Sequence, residues 1–468
     1  MKVRKRYKQI ISKLKLVPKR RSFFLLVLTF TNPVVSHFKS FFCFLALIFL
    51  LGSCHTEKLF KSKNPYETYS DALKNTGLEG YKIIKKWISN GQVSAAVNLN
   101  AQNLPHAEMV YFDPAMAEAE FWLYEVEEGS QVSINANALS DSGTVYFLDV
   151  FRNTISGYSS LVFSQDRQTI AYTAQENENH LLRIQPELLG GGMVEVNIKV
   201  SGSIVFPISN MNAGQIASFW GDARGGSRRH QGVDVFASRG TPVRAVEDGR
   251  VNRSDQNRLG GKVVWLNSGK YNFYYAHLDS QMVHIGQRVK MGDTLGMVGN
   301  TGNARTTAPH LHFGIYRRGS GAKNPLPFLQ TPKKIEKISA SDTVSLKDYG
   351  VFSAKTGNLR ASPTLNAKII GTYSKNTYFD IMGKSGVWFR IMLPDHTIGF
   401  AHQTILNISE KSSPEIELKA VDLVFQDWKK SWPIPSDYFI GKGNILGYFK
   451  DMVYVRLKTG SKIWMQVK

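Results

Sequence analysis

The stretch His310-Leu-His-Phe-Gly-Ile-Tyr316 has a period of two. Side chains on a strand point alternately to its two faces, so His310 and His312 must share one face while Leu311, Phe313 and Ile315 share the other. Such a segment fits a strand with one side in a core and the other open on a cleft that receives two imidazoles. About eighty residues upstream, His230-Gln-Gly-Val-Asp234 places an imidazole and a carboxylate four positions apart. Any fold that uses these groups together must bring the two segments side by side. Catalytic zinc takes three protein ligands and keeps a fourth position for water. His230, Asp234 and one of His310 and His312 supply three, and bound zinc lowers the pKa of its water from about 15.7 to about 7. Taken singly, each residue has a plainer use: Asp234 suits a turn, and a lone histidine is more often a satisfied core or surface residue.

The surroundings of these clusters predict a compact antiparallel β domain. Val263 to Leu266, Tyr271 to His277 and Leu311 to Tyr316 have strand composition, and Asp248-Gly249 and Gly299-Asn-Thr-Gly302 supply tight turns. At 468 residues the chain has room for about three domains at the usual 100 to 200 residues each. Its two cysteines, Cys43 and Cys54, exclude a cysteine-rich metal site or a disulfide framework, so a metal must be held by His and carboxylates.

Three separated segments then agree in identity and order. Residues 219–236 read Phe-Trp-Gly-Asp-Ala-Arg-Gly-Gly-Ser-Arg-Arg-His-Gln-Gly-Val-Asp-Val-Phe, residues 274–278 read Tyr-Tyr-Ala-His-Leu, and residues 299–313 read Gly-Asn-Thr-Gly-Asn-Ala-Arg-Thr-Thr-Ala-Pro-His-Leu-His-Phe. Over about 120 residues this resembles the lysostaphin/LytM-type zinc metalloendopeptidases, peptidoglycan hydrolases that cut peptide bonds of the bacterial cell wall. The resemblance implies Zn²⁺ held by His230, Asp234 and His312. It also implies that His277 and His310 are non-ligand catalytic residues that orient water, take its proton and stabilise the oxyanion. Gly314 departs from a glutamate common in the family at a position that is not a ligand. Some family members have lost the ligands and activate other wall hydrolases, whereas all five positions are intact here. The alternatives to a wall endopeptidase are such a non-enzymatic activator and a zinc peptidase acting on secreted proteins.

Eleven basic and no acidic residues precede Cys54, leaving +10 of the formal +21 to the rest of the chain. A moderately basic protein without a nucleic-acid-binding signature points to a polyanion such as cell wall, with no nucleic acid as partner. The apolar runs Phe23–Phe30 and Phe41–Gly52 end in Leu51-Gly52-Ser53-Cys54, which resembles the lipobox of bacterial lipoproteins. It implies a signal peptide over 1–53, lipid attachment at Cys54, and an extracytoplasmic, membrane-anchored lipoprotein in the periplasm or at the outer membrane.

Residues 54–105 are expected to be a spacer from Lys58 to Tyr66 followed by one amphipathic helix through Leu78, Tyr81, Ile84 and Ile88, stopped at Asn90-Gly91. Alternation in Val132/Ile134, Val145/Phe147 and Val194/Val196/Ile198/Val200 predicts a β sandwich over 106–202, similar to a pre-peptidase jelly roll and suited to a binding, spacing or inhibitory role. The peptidase domain occupies 203–330, and a Lys-rich linker follows at 331–341. Residues 343–408 resemble a bacterial SH3-like (SH3b) barrel through Gly357-Asn-Leu-Arg-Ala-Ser-Pro-Thr, Val387-Trp-Phe-Arg-Ile and Ile398-Gly-Phe. Tyr373, Tyr378 and Trp388 are its candidate wall-binding aromatics, with Trp388 expected in the core. Residues 412–468 echo that rhythm and suggest a second, divergent SH3-like repeat. The expected fold class is mainly β and multidomain.

Overall fold

The computed structural model describes residues 64–95, 99–139, 143–335, 346, 349–408, 414–418, 424–431, 433–434 and 441–466. The signal peptide, Cys54 and most of both proposed linkers lie outside these residues.

A first unit reaches Ile88. Helix α1 (Pro65–Asn75) is opened by Asn64, whose Oδ1 accepts from the Tyr66 N–H at 2.8 Å, and by Pro65, whose fixed φ suits a first turn. Helix α2 (Lys82–Asn90) buries Ile84 and Trp87, and Tyr66 stacks on Trp87 at 5.1 Å. The expectation of one helix through Leu78 and Tyr81 is corrected. Those two residues lie in the connection, because Gly77 sits at φ +68 and ends the first helix. The spacer is likewise shorter than expected, since Pro65 and Tyr66 already belong to α1.

From Ser89 onward the described residues form a second unit. Its first part is a sandwich of β1 (His106–Phe112), β2 (Glu120–Val126), β3 (Ser130–Ala138), β4 (Tyr146–Thr154), β5 (Gly157–Phe163), β6 (Thr169–Thr173), β7 (Glu178–Pro186) and β8 (Gly192–Gly202). One sheet runs β1-β8-β3-β6 and the other β2-β7-β4-β5. Val194, Val196 and Ile198 of β8 turn inward against Trp122, Leu148 and Ile184, as their alternation requires.

The next strands are β9 (Ile216–Ser218), β10 (Val233–Phe236), β11 (Pro242–Arg244), β12 (Gly249–Asn257), β13 (Gly261–Ser268), β14 (Tyr271–Gln281), β15 (Arg288–Val289), β16 (Thr294–Val298), β17 (His310–Arg317) and β18 (Gly321–Lys323). They form one antiparallel sheet, with the path β15-β12-β13-β14-β17-β10-β9. The inner side of β17, Leu311, Phe313 and Ile315, is fully buried, with Phe313 parallel to Phe273 of β14 at 6.2 Å. The sandwich grips this domain at the far ends of β14 and β17. There buried Glu128 accepts from Tyr271 Oη at 2.8 Å and pairs with Arg317 at 3.1 Å and Lys323 at 2.9 Å. Phe328, from the short helix α3 (Leu326–Leu329), covers Gly129.

Strands β19 (Tyr349–Phe352), β20 (Thr356–Arg360), β21 (Ile369–Ser374), β22 (Tyr378–Ser385), β23 (Trp388–Met392), β24 (Ile398–His402) and β25 (Leu406–Asn407) follow, and β22 pairs with β1 of the sandwich. The regular elements of the C-terminal segment are also all strands among its described residues: Glu415–Leu418, Val424–Phe425, Pro433–Ile434, Gly441–Phe449, Met452–Leu457 and Lys462–Gln466. Trp388 is buried, as expected. Tyr378 is not the exposed aromatic anticipated: it is 2% exposed, packed edge-on against Tyr454 at 4.8 Å and Trp464 at 6.4 Å. Tyr373 is half-buried against Phe352.

Candidate metal centre

Three strands meet at His312. Asp234 of β10 is its direct cross-strand partner, and Ala276 of β14 flanks it on the other side. His230 arrives from a short hairpin closed by Gly221 N–H to His230 O at 2.9 Å, His230 N–H to Asp222 O at 2.9 Å and Arg224 N–H to Arg228 O at 3.0 Å. Gly232 carries the chain from that hairpin into β10; a Cβ there would run into the His312 ring and the Phe313 carbonyl.

The result is a tight trio. His230 Nε2 lies 3.0 Å from His312 Nδ1 and 3.1 Å from Asp234 Oδ1, and His312 Nδ1 lies 2.8 Å from Asp234 Oδ1. Ligand atoms on a tetrahedral zinc at about 2.0 Å are about 3.3 Å apart, so the three atoms already stand near the edges of that tetrahedron. The donor chemistry also fits. His230 Nδ1–H donates to the Phe219 carbonyl at 2.9 Å, which leaves the Nε2 lone pair facing the trio. The second oxygen of Asp234 accepts from Arg224 Nη2 at 2.6 Å. Burial pushes the Asp234 carboxyl upward, but hydrogen bonds from His230 and His312 and their charges outweigh it and hold the group far below the usual carboxylate range. Burial lowers His312, partly offset by Asp234, and so favours the neutral imidazole that a metal needs.

His277 and His310 stand beside the trio. The His277 ring lies 5.0 Å from that of His310 and 5.9 Å from that of His312. Their Nδ1 atoms donate to backbone carbonyls, His277 to Thr301 and His310 to Ala308, each at 2.9 Å, which leaves Nε2 of each ring as the open nitrogen. Burial, reinforced by the imidazoles of His312 and His310, lowers His277 to about 4. His277 also sits at φ +61, a region costly for a residue with a Cβ, and its N–H is tied to Gly260 O at 2.7 Å.

All five predicted residues therefore line one open cleft of about 1050 Å³. Sequence reasoning missed other residues there. Trp265, Tyr274 and Tyr316 form an aromatic wall, with Trp265 4.5 Å from Tyr274 and 5.0 Å from Tyr316, and the Phe236 ring lies tilted against His310 at 5.0 Å. Tyr316 was legible, because the alternation that pairs His310 with His312 continues through Gly314 to Tyr316. Every described residue lining the cleft falls between Ala217 and Tyr316; none comes from the sandwich.

An antiparallel sheet that converges a His-Asp-His trio on an open cleft, with two more histidines at its edge, defines a metallopeptidase-type domain. Residues 228–325 match the model of Peptidase family M23. Over 151 residues the chain is 38% identical to the glycyl-glycine endopeptidase ALE-1 of Staphylococcus capitis, covering 30% of this chain and 40% of that protein. Over 99 residues it is 41% identical to the peptidoglycan DD-endopeptidase ShyC of Vibrio cholerae, covering 21% and 22%. A longer match, 33% identity over 277 residues, joins 57% of the chain to 53% of an uncharacterized metalloprotease of Haemophilus influenzae. The chain thus spans between about a fifth and about a half of these relatives' own lengths.

Proposed function

We propose that this chain is a zinc-dependent endopeptidase that cleaves peptide bonds of bacterial peptidoglycan outside the cytoplasm, tethered to a membrane through lipid on Cys54. The observation that carries the reading is the convergence of His230 Nε2, Asp234 Oδ1 and His312 Nδ1 within 4.8 Å of one another, beside two histidines that are not part of the trio. Zinc held there would supply Lewis acidity and an acidified water. The remaining chemistry belongs to His277 and His310. With Nδ1–H fixed on a carbonyl, each ring presents a basic Nε2: one accepts the proton of the attacking water and returns it to the leaving amine, while the other, when protonated, donates to the developing oxyanion. The aromatic wall holds the extended peptide alongside. The peptidoglycan substrate is supported by relatives named for cutting wall peptides or glycyl-glycine bonds.

In this reading the sandwich is a strut, and the β-rich C-terminal modules are SH3-like (SH3b) wall-binding units. The test is digestion of purified peptidoglycan by the chain from residue 55 onward, with muropeptides resolved by mass spectrometry. New peptide ends should appear, and both chelation and His230→Ala should suppress them. No release, or release indifferent to both, refutes the hydrolase. Cys54→Ser should abolish metabolic labelling by a clickable fatty acid, and unchanged labelling removes the lipid anchor.

A further inference from the structure

The hairpin that delivers His230 also carries charge. It turns at Gly225-Gly226, with Gly226 at φ +75, and Ala223 bridges Arg229 across it. Arg228 and Arg229 immediately precede His230. Both are exposed, and both line the cleft. Their hydrogen bonds stay within the hairpin backbone, Arg228 Nε to Gly225 O at 3.3 Å and Arg229 Nη1 to Gly221 O at 3.4 Å, and neither has a carboxylate partner among the described residues.

Nothing else in the cleft neutralises them. Asp234 is the sole carboxylate among the described lining residues, and it is committed to His230, His312 and Arg224. Asp222 lies in the same hairpin, but its Oδ2 accepts from Ser218 Oγ at 2.9 Å and from the Phe219 N–H at 2.7 Å, and it does not line the cleft. Other described lining residues are uncharged, among them Asn257, Trp265, Tyr274, Asn303 and Tyr316. Two guanidinium groups therefore border the cleft without an uncommitted carboxylate among its described lining residues.

We infer that Arg228 and Arg229 recognise a free carboxylate on the bound peptide, so that the cleft selects anionic wall peptides over neutral, glycine-like ones; this rests on the peptidase reading above. Guanidinium meets carboxylate through two parallel N–H···O bonds, a geometry an amide cannot answer. A single exposed pair is weak, but two of them beside a cleft that sheds water on binding give a discrimination of about tenfold.

The experiment uses the zinc-loaded full chain and two synthetic cross-linked peptides, identical except that the side-chain carboxylates flanking the scissile bond are free in one and amidated in the other. Cleavage is followed by chromatography, and binding of labelled peptides to the His310→Ala protein by fluorescence anisotropy. The wild type should favour the acid over the amide about tenfold in kcat/KM, and less so at high salt. Arg228→Gln with Arg229→Gln should bring that ratio towards one, whereas the double lysine variant, which keeps the charges but not the forked geometry, should fall between the glutamine variant and the wild type; matching melting curves check folding. Equal handling of the two peptides by the wild type, or an unchanged ratio in the glutamine variant, overturns the inference and leaves the peptidase reading in place. If neither peptide is cut while the acid still binds more tightly through these arginines, carboxylate recognition stands and the peptidase reading fails.

Discussion

The most demanding prediction concerns the seam between the sandwich and the strands that follow the peptidase domain. Arg390 of β23 is 3% exposed; its Nε lies 2.5 Å from Glu108 Oε1 and its Nη2 2.8 Å from Glu120 Oε2. Glu108, in β1 and wholly buried, also accepts from Trp122 Nε1 at 2.7 Å and lies 3.0 Å from His106 Nε2. Burial alone would raise the Glu108 carboxyl, but the Arg390 charge, with His106, outweighs it and lowers the group from 4.5 to about 2. Arg390→Met removes that compensation. Breaking a buried pair by deleting one partner costs about 3–5 kcal/mol. The abandoned Glu108 escapes by taking a proton, which at pH 7 costs about 3.4 kcal/mol for a group that ordinarily ionises at 4.5. The two routes agree, and the second carries a signature: at pH 5 the proton costs about 0.7 kcal/mol, so most of the penalty should vanish.

The wild type should respond in the opposite direction. Because the folded-state value of Glu108 is depressed, its contribution is complete above about 4.5 and is lost as the pH falls towards about 2. Burial raises Glu120, which works against this and softens the acid loss. Denaturant unfolding of Arg390→Met, Glu108→Gln and the double variant at pH 7 and pH 5 measures these terms, and the pair should couple by more than 1 kcal/mol in the cycle, of the order expected for contacting groups. A loss below about 1 kcal/mol at pH 7, or an equal loss at both pH values, would show that Glu108 does not depend on Arg390.

Four further outcomes follow from the site and its supports. His277→Ala and His310→Ala should retain bound zinc yet lose about 10²- to 10⁴-fold in kcat, the usual worth of a positioned acid or base; loss of zinc from either would make it a ligand. Arg224→Ala frees the second Asp234 oxygen and should weaken zinc binding about 10- to 100-fold in a buffered-zinc titration, as outer-sphere losses do; unchanged affinity refutes that support. Zinc removal should lower the melting temperature of the chain, because the metal binds the folded trio preferentially, and an unmoved melt argues against binding there. Gly129→Ala should destabilise the protein by about 1–3 kcal/mol, since Gly129 sits at φ +92 under the Phe328 ring, and a neutral melt would mean that α3 can yield.

What could be read in advance followed from local periodicity. The alternation from His310 to Tyr316 places both imidazoles on one face and three apolar side chains in the core, and the alternation in β8 does the same for the sandwich. Where the backbone leaves its regular path, that counting fails. Along β14, Phe273 and Tyr275 point into the core, so strict alternation would bury His277 with them, yet its ring stands in the cleft beside His310 and His312. The left-handed φ of +61 and the register shift that follows turn the side chain across, and no pattern of apolar residues announces such a turn; only the resemblance of 274–278 pointed to it.

The helix boundary failed for a related reason. Leu78 and Tyr81 keep the helical spacing of Ile84 and Ile88, but Gly77 had already taken the chain out of the helix. Tyr378 failed for a different one, and no reading of the sequence anticipated the burial of Arg390. An outward residue on a strand is exposed unless something covers it. Tyr378 is covered by Tyr454 and Trp464 from the C-terminal strands, and Arg390 is covered by a carboxylate 282 positions earlier in the chain. A buried arginine is intelligible once its partners are known and unpredictable before, since burying a charge is costly without them and tolerable with them. The trio at His312 escaped that limit in part: imidazole and carboxylate at metal-ligand spacing restrict their partners in a way that a tyrosine or an arginine does not, while the choice of His312 over His310 rested on the family resemblance.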